Sequence, residues 1–357
     1  MLKAVNLRCE YQINPIDLFV RSPGFSWVLE SDSTDVIQSY YELQVSEDGS
    51  FSEVMWKKEE ASKNSIYILY EGPELIPAVR YYWRVRIKDC RDNQSPWSEA
   101  AFFESAYLYQ NDLKGAFISG ETEKGRDSSG AFLFRKGFRV NGRLKSARLY
   151  ASAKGIYEPY CNGQRVGEIF LTPGWTEYHS RLLYQTYDVT QNINQGNNAI
   201  GLMAGPGWYK GDLAGWAGRR NVYGTCTAIW AQLRLEYQDG RIEWIVTDES
   251  WLCSHSPIVF SELYHGEKYD ARLEQKNWCS EFFDDTLWRP PYIESKDVSK
   301  LRPQDGPPVV IHKELSPVAL LTTPKGETVL DFGQNLSGWV RFTVIGQKGE
   351  RVRLRHG

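Results

Sequence analysis

The sequence predicts an all-β protein: a β-sandwich of about a hundred residues, then a larger jelly-roll sandwich and the start of a third β-domain. Three observations carry this. Short segments alternate apolar with polar residues, as half-buried strands do, between turn clusters such as Glu47-Asp-Gly-Ser and Gln238-Asp-Gly. Aromatic residues make up 14% of the chain, with 13 Trp and 21 Tyr, which suits strands and also carbohydrate handling. No segment longer than a turn shows the helical period. At 357 residues the chain exceeds one ordinary sandwich and suits two or three domains.

Residues 1–108 form the first unit in this reading. Phe25-Ser-Trp-Val-Leu, Tyr41-Glu-Leu-Gln-Val, Ile66-Tyr-Ile-Leu-Tyr and Tyr82-Trp-Arg-Val-Arg-Ile are its strand candidates. Their close spacing, with turns such as Arg91-Asp-Asn-Gln-Ser-Pro, fits a sandwich. The order Trp27, then Tyr82-Trp83-Arg84-Val85, then Trp97-Ser98-Glu99 before Phe102 resembles a fibronectin type III domain. That resemblance implies that the rings are core and that the domain is a spacer.

Residues 109–304 form the second unit. Strand candidates are Phe132-Leu-Phe-Arg-Lys, Ser146-Ala-Arg-Leu-Tyr-Ala-Ser-Ala, Ile156-Tyr-Glu-Pro-Tyr, Leu183-Tyr-Gln-Thr-Tyr-Asp-Val and Asn198-Ala-Ile-Gly-Leu-Met-Ala. Ile229-Trp-Ala-Gln-Leu-Arg-Leu-Glu-Tyr and Ile242-Glu-Trp-Ile-Val-Thr follow, joined by the Asp-Gly pair of a hairpin turn. Cys161-Asn-Gly-Gln reads as a second such turn. So many antiparallel strands with one Gly-rich excursion predict a jelly roll. A short helical turn is expected near Asp284-Asp-Thr-Leu-Trp, with Asp284 and Asp285 as capping residues. Asp305-Gly-Pro-Pro marks the next boundary. Beyond it Thr328-Val-Leu-Asp-Phe, Gly338-Trp-Val-Arg-Phe-Thr-Val and Arg351-Val-Arg-Leu-Arg are strand-like. About fifty residues with unpaired edges do not make an independent core, so 305–357 is read as the truncated start of a further sandwich.

The excursion is Gly205 to Gly224, whose glycines are too frequent for a helix or a strand. It carries Trp208, Tyr209, Trp216 and Tyr223 beside Asp212, Arg219 and Asn221. Flat rings stack on the apolar faces of sugars, and neighbouring Asp, Asn and Arg side chains hydrogen-bond hydroxyls. The competing reading is an ordered loop whose rings are local core. A net charge of −3 and a pI near 6.1 give no reason to expect nucleic acid or an anionic membrane as partner. No apolar run approaches the roughly 20 residues of a membrane span. The N-terminus lacks the apolar core of a signal peptide, and six scattered cysteines form no Cys-x-x-Cys pair, so a reducing cytoplasm is expected. Five dispersed histidines show no metal-ligand spacing, and no Gly-x-Ser-x-Gly elbow occurs.

Four segments in order resemble the N-terminal half of bacterial α-L-rhamnosidases, glycoside hydrolase family 78. They are Ala151-Ser-Ala-Lys-Gly-Ile-Tyr-Glu-Pro-Tyr-Cys-Asn-Gly-Gln-Arg-Val-Gly with Leu171-Thr-Pro-Gly-Trp-Thr-Glu-Tyr; Gly205-Pro-Gly-Trp-Tyr-Lys-Gly; Leu263-Tyr-His-Gly-Glu-Lys-Tyr-Asp-Ala-Arg; and Leu330-Asp-Phe-Gly-Gln-Asn-Leu-Ser-Gly-Trp-Val. The resemblance implies a hydrolase that releases terminal α-L-rhamnose with inversion, using an (α/α)6 barrel downstream of these β-domains. No repeated amphipathic helices occur here, so none of the family's catalytic residues falls on this sequence. This chain is therefore expected to be an inactive, non-catalytic N-terminal portion whose partners are rhamnose-containing glycosides and the catalytic barrel. The alternatives are a stand-alone carbohydrate-binding module and a structural scaffold.

Within this frame Asn162, Trp208, Tyr209, Asp212, Trp216, Arg219, Asn221, Glu267 and Asp270 are the candidates for sugar binding or barrel docking. The resemblance also implies calcium in some such jelly rolls; calcium needs several converging oxygens, and in this sequence Asn162, Asp212 and Asn221 are available as donors. Glu267 and Asp270 are the closest carboxyl pair. In an extended strand they project to opposite faces, a poor arrangement for an inverting acid and base. Arg272 shares a face with Asp270, so a structural ion pair at the domain edge is the preferred reading.

Overall fold

Alternation along single strands builds the first sandwich. The computed structural model describes residues 2–107, 113–121, 129–213, 219–347 and 349–355. Among these, the strands of the first sandwich are β1 (Lys3–Cys9), β2 (Ile16–Leu18), β3 (Gly24–Glu30), β4 (Gln38–Ser46), β5 (Trp56–Glu60), β6 (Ile68–Leu69), β7 (Arg80–Asp89) and β8 (Ala101–Ser105). One sheet runs β1-β3-β6 and the other β2-β8-β7-β4-β5. On β7 every second residue points inward: Tyr81, Trp83, Val85 and Ile87 are fully buried with Phe25, Tyr41, Leu43 and Phe103. Each such side chain contributes about 1.5–3 kcal/mol by leaving water. Two of the expected core rings belong elsewhere. Tyr82 faces outward, and Trp97 lies on the outer face, where the Arg84 and Arg86 guanidinium groups cover it at 4.4 and 4.6 Å.

The second sandwich has strands β9 (Phe117–Ser119), β10 (Phe132–Val140), β11 (Leu144–Lys154), β12 (Ile156–Cys161), β13 (Gln164–Arg165), β14 (Leu182–Asp188), β15 (Gly196–Gly205) and β16 (Ala228–Tyr237). They are followed by β17 (Ile242–Val246), β18 (Leu252–His255), β19 (Ile258–Glu262), β20 (Gly266–Tyr269), β21 (Tyr292–Ser295) and β22 (Leu301–Pro303). A sheet β13-β12-β15-β10-β18 faces a sheet β21-β9-β16-β11-β14-β22, with β17 on β16 and β19-β20 as a separate hairpin. Phe132, Phe134, Leu202, Leu149, Ala151, Leu233 and Trp251 fill the space between the sheets. The larger sheet is buried on its outer face as well, where Tyr150, Tyr184 and Trp230 pack with Phe117, Tyr178, Leu182 and Leu301. Burial on both faces explains why β11 reads as an almost unbroken buried run.

The segment at 284–288 forms turns rather than a helical turn. Asp284 accepts a hydrogen bond from the Thr286 backbone N–H at 3.1 Å. Asp285 caps nothing; it pairs with Arg135, which is only 4% exposed and needs a counter-ion.

Met1–Val309 and Val310–Gly357 are separate units. In the second unit β23 (Ala319–Thr322) and β24 (Thr328–Asp331) form a hairpin. The strand-like segments at 338–344 and 351–355 form no strand. Their alternation is present, but neither finds a neighbouring strand among the described residues, and an isolated hairpin is marginal in water.

Candidate functional site

The Gly205–Gly224 loop leaves the end of β15 and at once contradicts its irregular reading: Gly207–Lys210 is one helical turn, α1. Gly207 enters it at φ +53°, where a Cβ would lie 2.7 Å from Ile156. The turn aims Lys210 inward, where it is fully buried and its Nζ pairs with Glu121 at 2.5 Å. Burial pushes the Glu121 carboxyl up, and the Lys210 ammonium opposes that shift.

The next anchor is Glu262, at the end of β19 and buried. It accepts from the Asp212 backbone N–H at 2.9 Å and from Ser129 at 3.1 Å, and pairs with Arg220 at 2.9 Å. Asp212 is 7% exposed, and its Oδ2 meets His265 Nε2 at 2.8 Å. The Asn221 backbone N–H donates to the Lys210 carbonyl at 2.9 Å, and Leu213 bridges Arg219, so the loop folds back on itself. Arg219 and the Asn221 side chain are exposed. Trp216 lies outside the described residues.

The rings divide into two sets. Tyr209 packs on Tyr178 at 5.5 Å and on Tyr223 at 6.4 Å, closing the outer core of the larger sheet, and burial pushes its hydroxyl up to about 12. Trp208 lies nearly parallel to Trp175, 6.2 Å between centroids, and Trp175 remains 49% exposed. The Trp175 indole N–H donates to the Tyr223 hydroxyl at 3.3 Å. A cleft of about 170 Å³ opens beside the Tyr178 and Tyr209 rings, lined also by Phe117, Lys154, Asp297 and Lys300 among others. Two of its polar groups are engaged locally: Lys154 with Glu294, and Asp297 with the Ser299 backbone N–H at 2.8 Å.

The structure separates Asn162 from this loop. Asn162 sits at the other end of β15: its backbone N–H donates to the Ala199 carbonyl, six residues and about 20 Å before Gly205. Its amide closes a local network, donating to the Asn192 carbonyl and to Asn198 and accepting from the Ala199 N–H, each at 2.8 Å. Asn162, Asp212 and Asn221 therefore do not converge as a calcium-binding set. Among the described residues no group of three or more His, Cys, Asp or Glu side chains is placed to hold a metal. Glu267 is exposed on β20. Asp270, just beyond it, bonds Arg272 at 2.8 and 2.5 Å, and those bonds hold its carboxyl down at about 2. Glu121, Glu262 and Lys210 were not legible as anchors, since the partners lie 89 and 50 positions apart in sequence. Trp175 was visible only as part of a motif.

A β-sandwich joined to a jelly roll, with a ring-bearing loop folded over one end, defines the chain as a tandem β-sandwich module. Residues 142–313 match the model described as the alpha-L-rhamnosidase N-terminal domain. Residues 4–109 match the Rha78A-like, N-terminal immunoglobulin domain, and residues 321–357 the bacterial alpha-L-rhamnosidase concanavalin-like domain. The chain belongs to the bacterial α-L-rhamnosidase family, glycoside hydrolase family 78, of which it carries N-terminal β-domains. The first sandwich is thus matched as an immunoglobulin domain, an architecture that fibronectin type III domains share.

An alpha-L-rhamnosidase of Formosa agariphila is 30% identical over 371 residues, covering 96% of this chain and 39% of the relative. One from Streptomyces avermitilis is 44% identical over 232 residues, covering 64% of this chain and 22% of the relative. Among solved structures, native Aspergillus terreus α-L-rhamnosidase superposes with a TM-score of 0.86 at 34% identity, covering 94% of this chain and 39% of its own. The Streptomyces avermitilis enzyme, solved with L-rhamnose, gives 0.82 at 25% identity, covering 94% and 49%. The chain thus spans well under half the length of these two curated relatives.

Proposed function

We propose that this chain is the non-catalytic N-terminal portion of an inverting α-L-rhamnosidase acting on rhamnose-containing glycosides, with catalysis supplied by a helical barrel outside these 357 residues. The observation that carries the reading is the engagement of the acids in the loop and on the segments that follow and precede it. Glu121, Asp212 and Glu262 each hold a backbone or a basic side chain in place, and Asp270 is held ionised by Arg272, so all four are engaged structurally rather than set as an acid and base across an open cleft. The longest helix among the described residues has four residues, which supports placing the barrel elsewhere. Six free cysteines support a cytoplasmic location. With an aryl α-L-rhamnoside the 357-residue chain is expected to release no rhamnose above background, and the protein extended to the relatives' length is expected to release it. Robust turnover by the short chain overturns the proposal.

The parallel Trp175 and Trp208 rings favour a second reading, a carbohydrate-binding face on the jelly roll. Calorimetric titration with L-rhamnose, with and without calcium, tests it. Heat of binding that disappears in Trp175→Ala and Trp208→Ala supports it; no heat at millimolar sugar rejects it.

A further inference from the structure

The first sandwich holds two strained rings at its surface. Strand β1 runs into a turn closed in both directions: the Cys9 N–H donates to the Gln12 carbonyl at 2.9 Å, and the Gln12 N–H to the Cys9 carbonyl at 3.0 Å. Its central residues, Glu10 and Tyr11, stand at φ +48° and +61°. Two successive positive φ values define a hairpin turn that favours Asn-Gly, so a tyrosine there is strained. Tyr67, just before β6, is left-handed as well, at φ +56°. The two rings lie within 15° of parallel, 5.3 Å between centroids. Tyr67 rests on Gly24 of β3, where a Cβ would lie 2.5 Å from the ring. Glu10 braces the pair. Its N–H donates to the Gly24 carbonyl at 2.9 Å, its Oε1 accepts from the Gly24 N–H at 2.6 Å, and its Oε2 accepts from the Tyr67 hydroxyl at 3.3 Å. Arg8 donates through Nη1 to the Tyr11 carbonyl at 3.0 Å and through Nε to the Asn6 amide oxygen at 3.3 Å. Tyr11 nevertheless stays 59% exposed and Tyr67 39%, while Phe25 and Trp27, on the opposite face of β3, are core. Burial therefore does not offset the strain, and strain held at an open surface is a mark of a binding position.

We propose that Tyr11 and Tyr67 form a stacking platform for one neutral pyranose ring, a sugar contact on the first sandwich separate from the Trp175–Trp208 face. It rests on the reading that the whole protein acts on rhamnose-containing glycosides. The apolar C–H face of the sugar lies against the Tyr11 ring. Arg8, with two of its five N–H donors used in the bonds above, and the Glu10 carboxylate supply a donor and an acceptor for the hydroxyls. One cation and one anion beside a flat ring suit a neutral polyol and select no charged partner. The braced turn fixes the ring before the sugar arrives, so little side-chain freedom is lost on binding. The first sandwich is then more than a spacer.

Saturation-transfer NMR with methyl α-L-rhamnopyranoside tests this on the whole chain carrying Trp175→Ala, which breaks the other ring pair. Saturation of the sugar ring protons with a millimolar Kd is expected. Tyr11→Phe in that background is expected to keep it. Tyr11→Gly and Tyr11→Asn remove the ring yet suit the left-handed backbone, so both are expected to stay folded by circular dichroism and to bind about tenfold more weakly. The proposal is overturned if no saturation transfer appears, if the Gly and Asn variants bind as their parent does, or if Tyr11→Phe loses the signal. Sedimentation that rises with concentration in the wild type but not in Tyr11→Gly would make the rings an interface between copies, and overturns it too. Rhamnose release by the extended protein is measured separately: hydrolysis without this binding strikes the platform alone, whereas absent hydrolysis strikes the reading on which it rests.

Discussion

At the scale of single residues, Asn162 shows how a structural role imitates a functional one. Its place in a Cys-Asn-Gly turn was legible, and the structure bears the turn out: Asn162 at φ +47° and Gly163 at φ +81° join β12 to β13. What the motif could not reveal is that the amide is closed into bonds with Asn192, Asn198 and Ala199. Those partners arrive from a 3-10 turn and a strand 30 to 37 positions later, so no local spacing announces them. Asn162→Ala removes three hydrogen bonds, leaves the Ala199 N–H without its acceptor and puts a less tolerant residue in the left-handed region. We expect a loss of roughly 2–3 kcal/mol in urea unfolding, with unaltered affinity for any sugar held at the Trp175–Trp208 face. A variant of normal stability that fails to bind such a sugar would return Asn162 to the functional set.

At the scale of elements, the strands were legible because each carries its own two-residue period. Tyr81, Trp83, Val85 and Ile87 declare an inward face whatever they pair with. The aromatic loop has no period, and distant charges fix its course. Lys210 is held by Glu121 from before β10, and the Asp212 backbone by Glu262 from β19. Lys210 and Glu121 have 0% and 2% side-chain exposure, so removing Lys210 takes the cation from a buried carboxylate. Lys210→Met is expected to cost about 3–5 kcal/mol and to loosen the loop, whereas Lys210→Met combined with Glu121→Leu is expected to recover most of that loss. Denaturant unfolding of both single variants and the pair measures the coupling. Strictly additive losses would show that the pair does not anchor the loop.

At the scale of the whole molecule, the two units differ in what they bury. The first contains cores in which Trp83, Tyr157, Leu202 and Trp230 are all but inaccessible. The second exposes the residues that should be a core: Val318 and Leu320 at 69%, Trp339 at 59%, Phe342 at 54% and Ile345 at 99%. Its alternating segments made a third β-domain legible, and the family match to residues 321–357 agrees. Alternation alone does not produce a sheet, however, because backbone pairing and burial both need a neighbouring strand. Amides of 338–344 and 351–355 are therefore expected to exchange with solvent within seconds to minutes, as locally open structure does. Those of β10, β11, β15 and β16 should approach the exchange rate of global unfolding. Native-state hydrogen exchange read by mass spectrometry separates the two cases. Protection of the 338–344 amides equal to that of β16 would mean that this segment finds a sheet partner in solution, and the exposed apolar residues would then belong to an interface between copies of the chain. The same sample in analytical ultracentrifugation at two concentrations distinguishes that assembly from a monomer, because only the assembly's sedimentation rises with concentration.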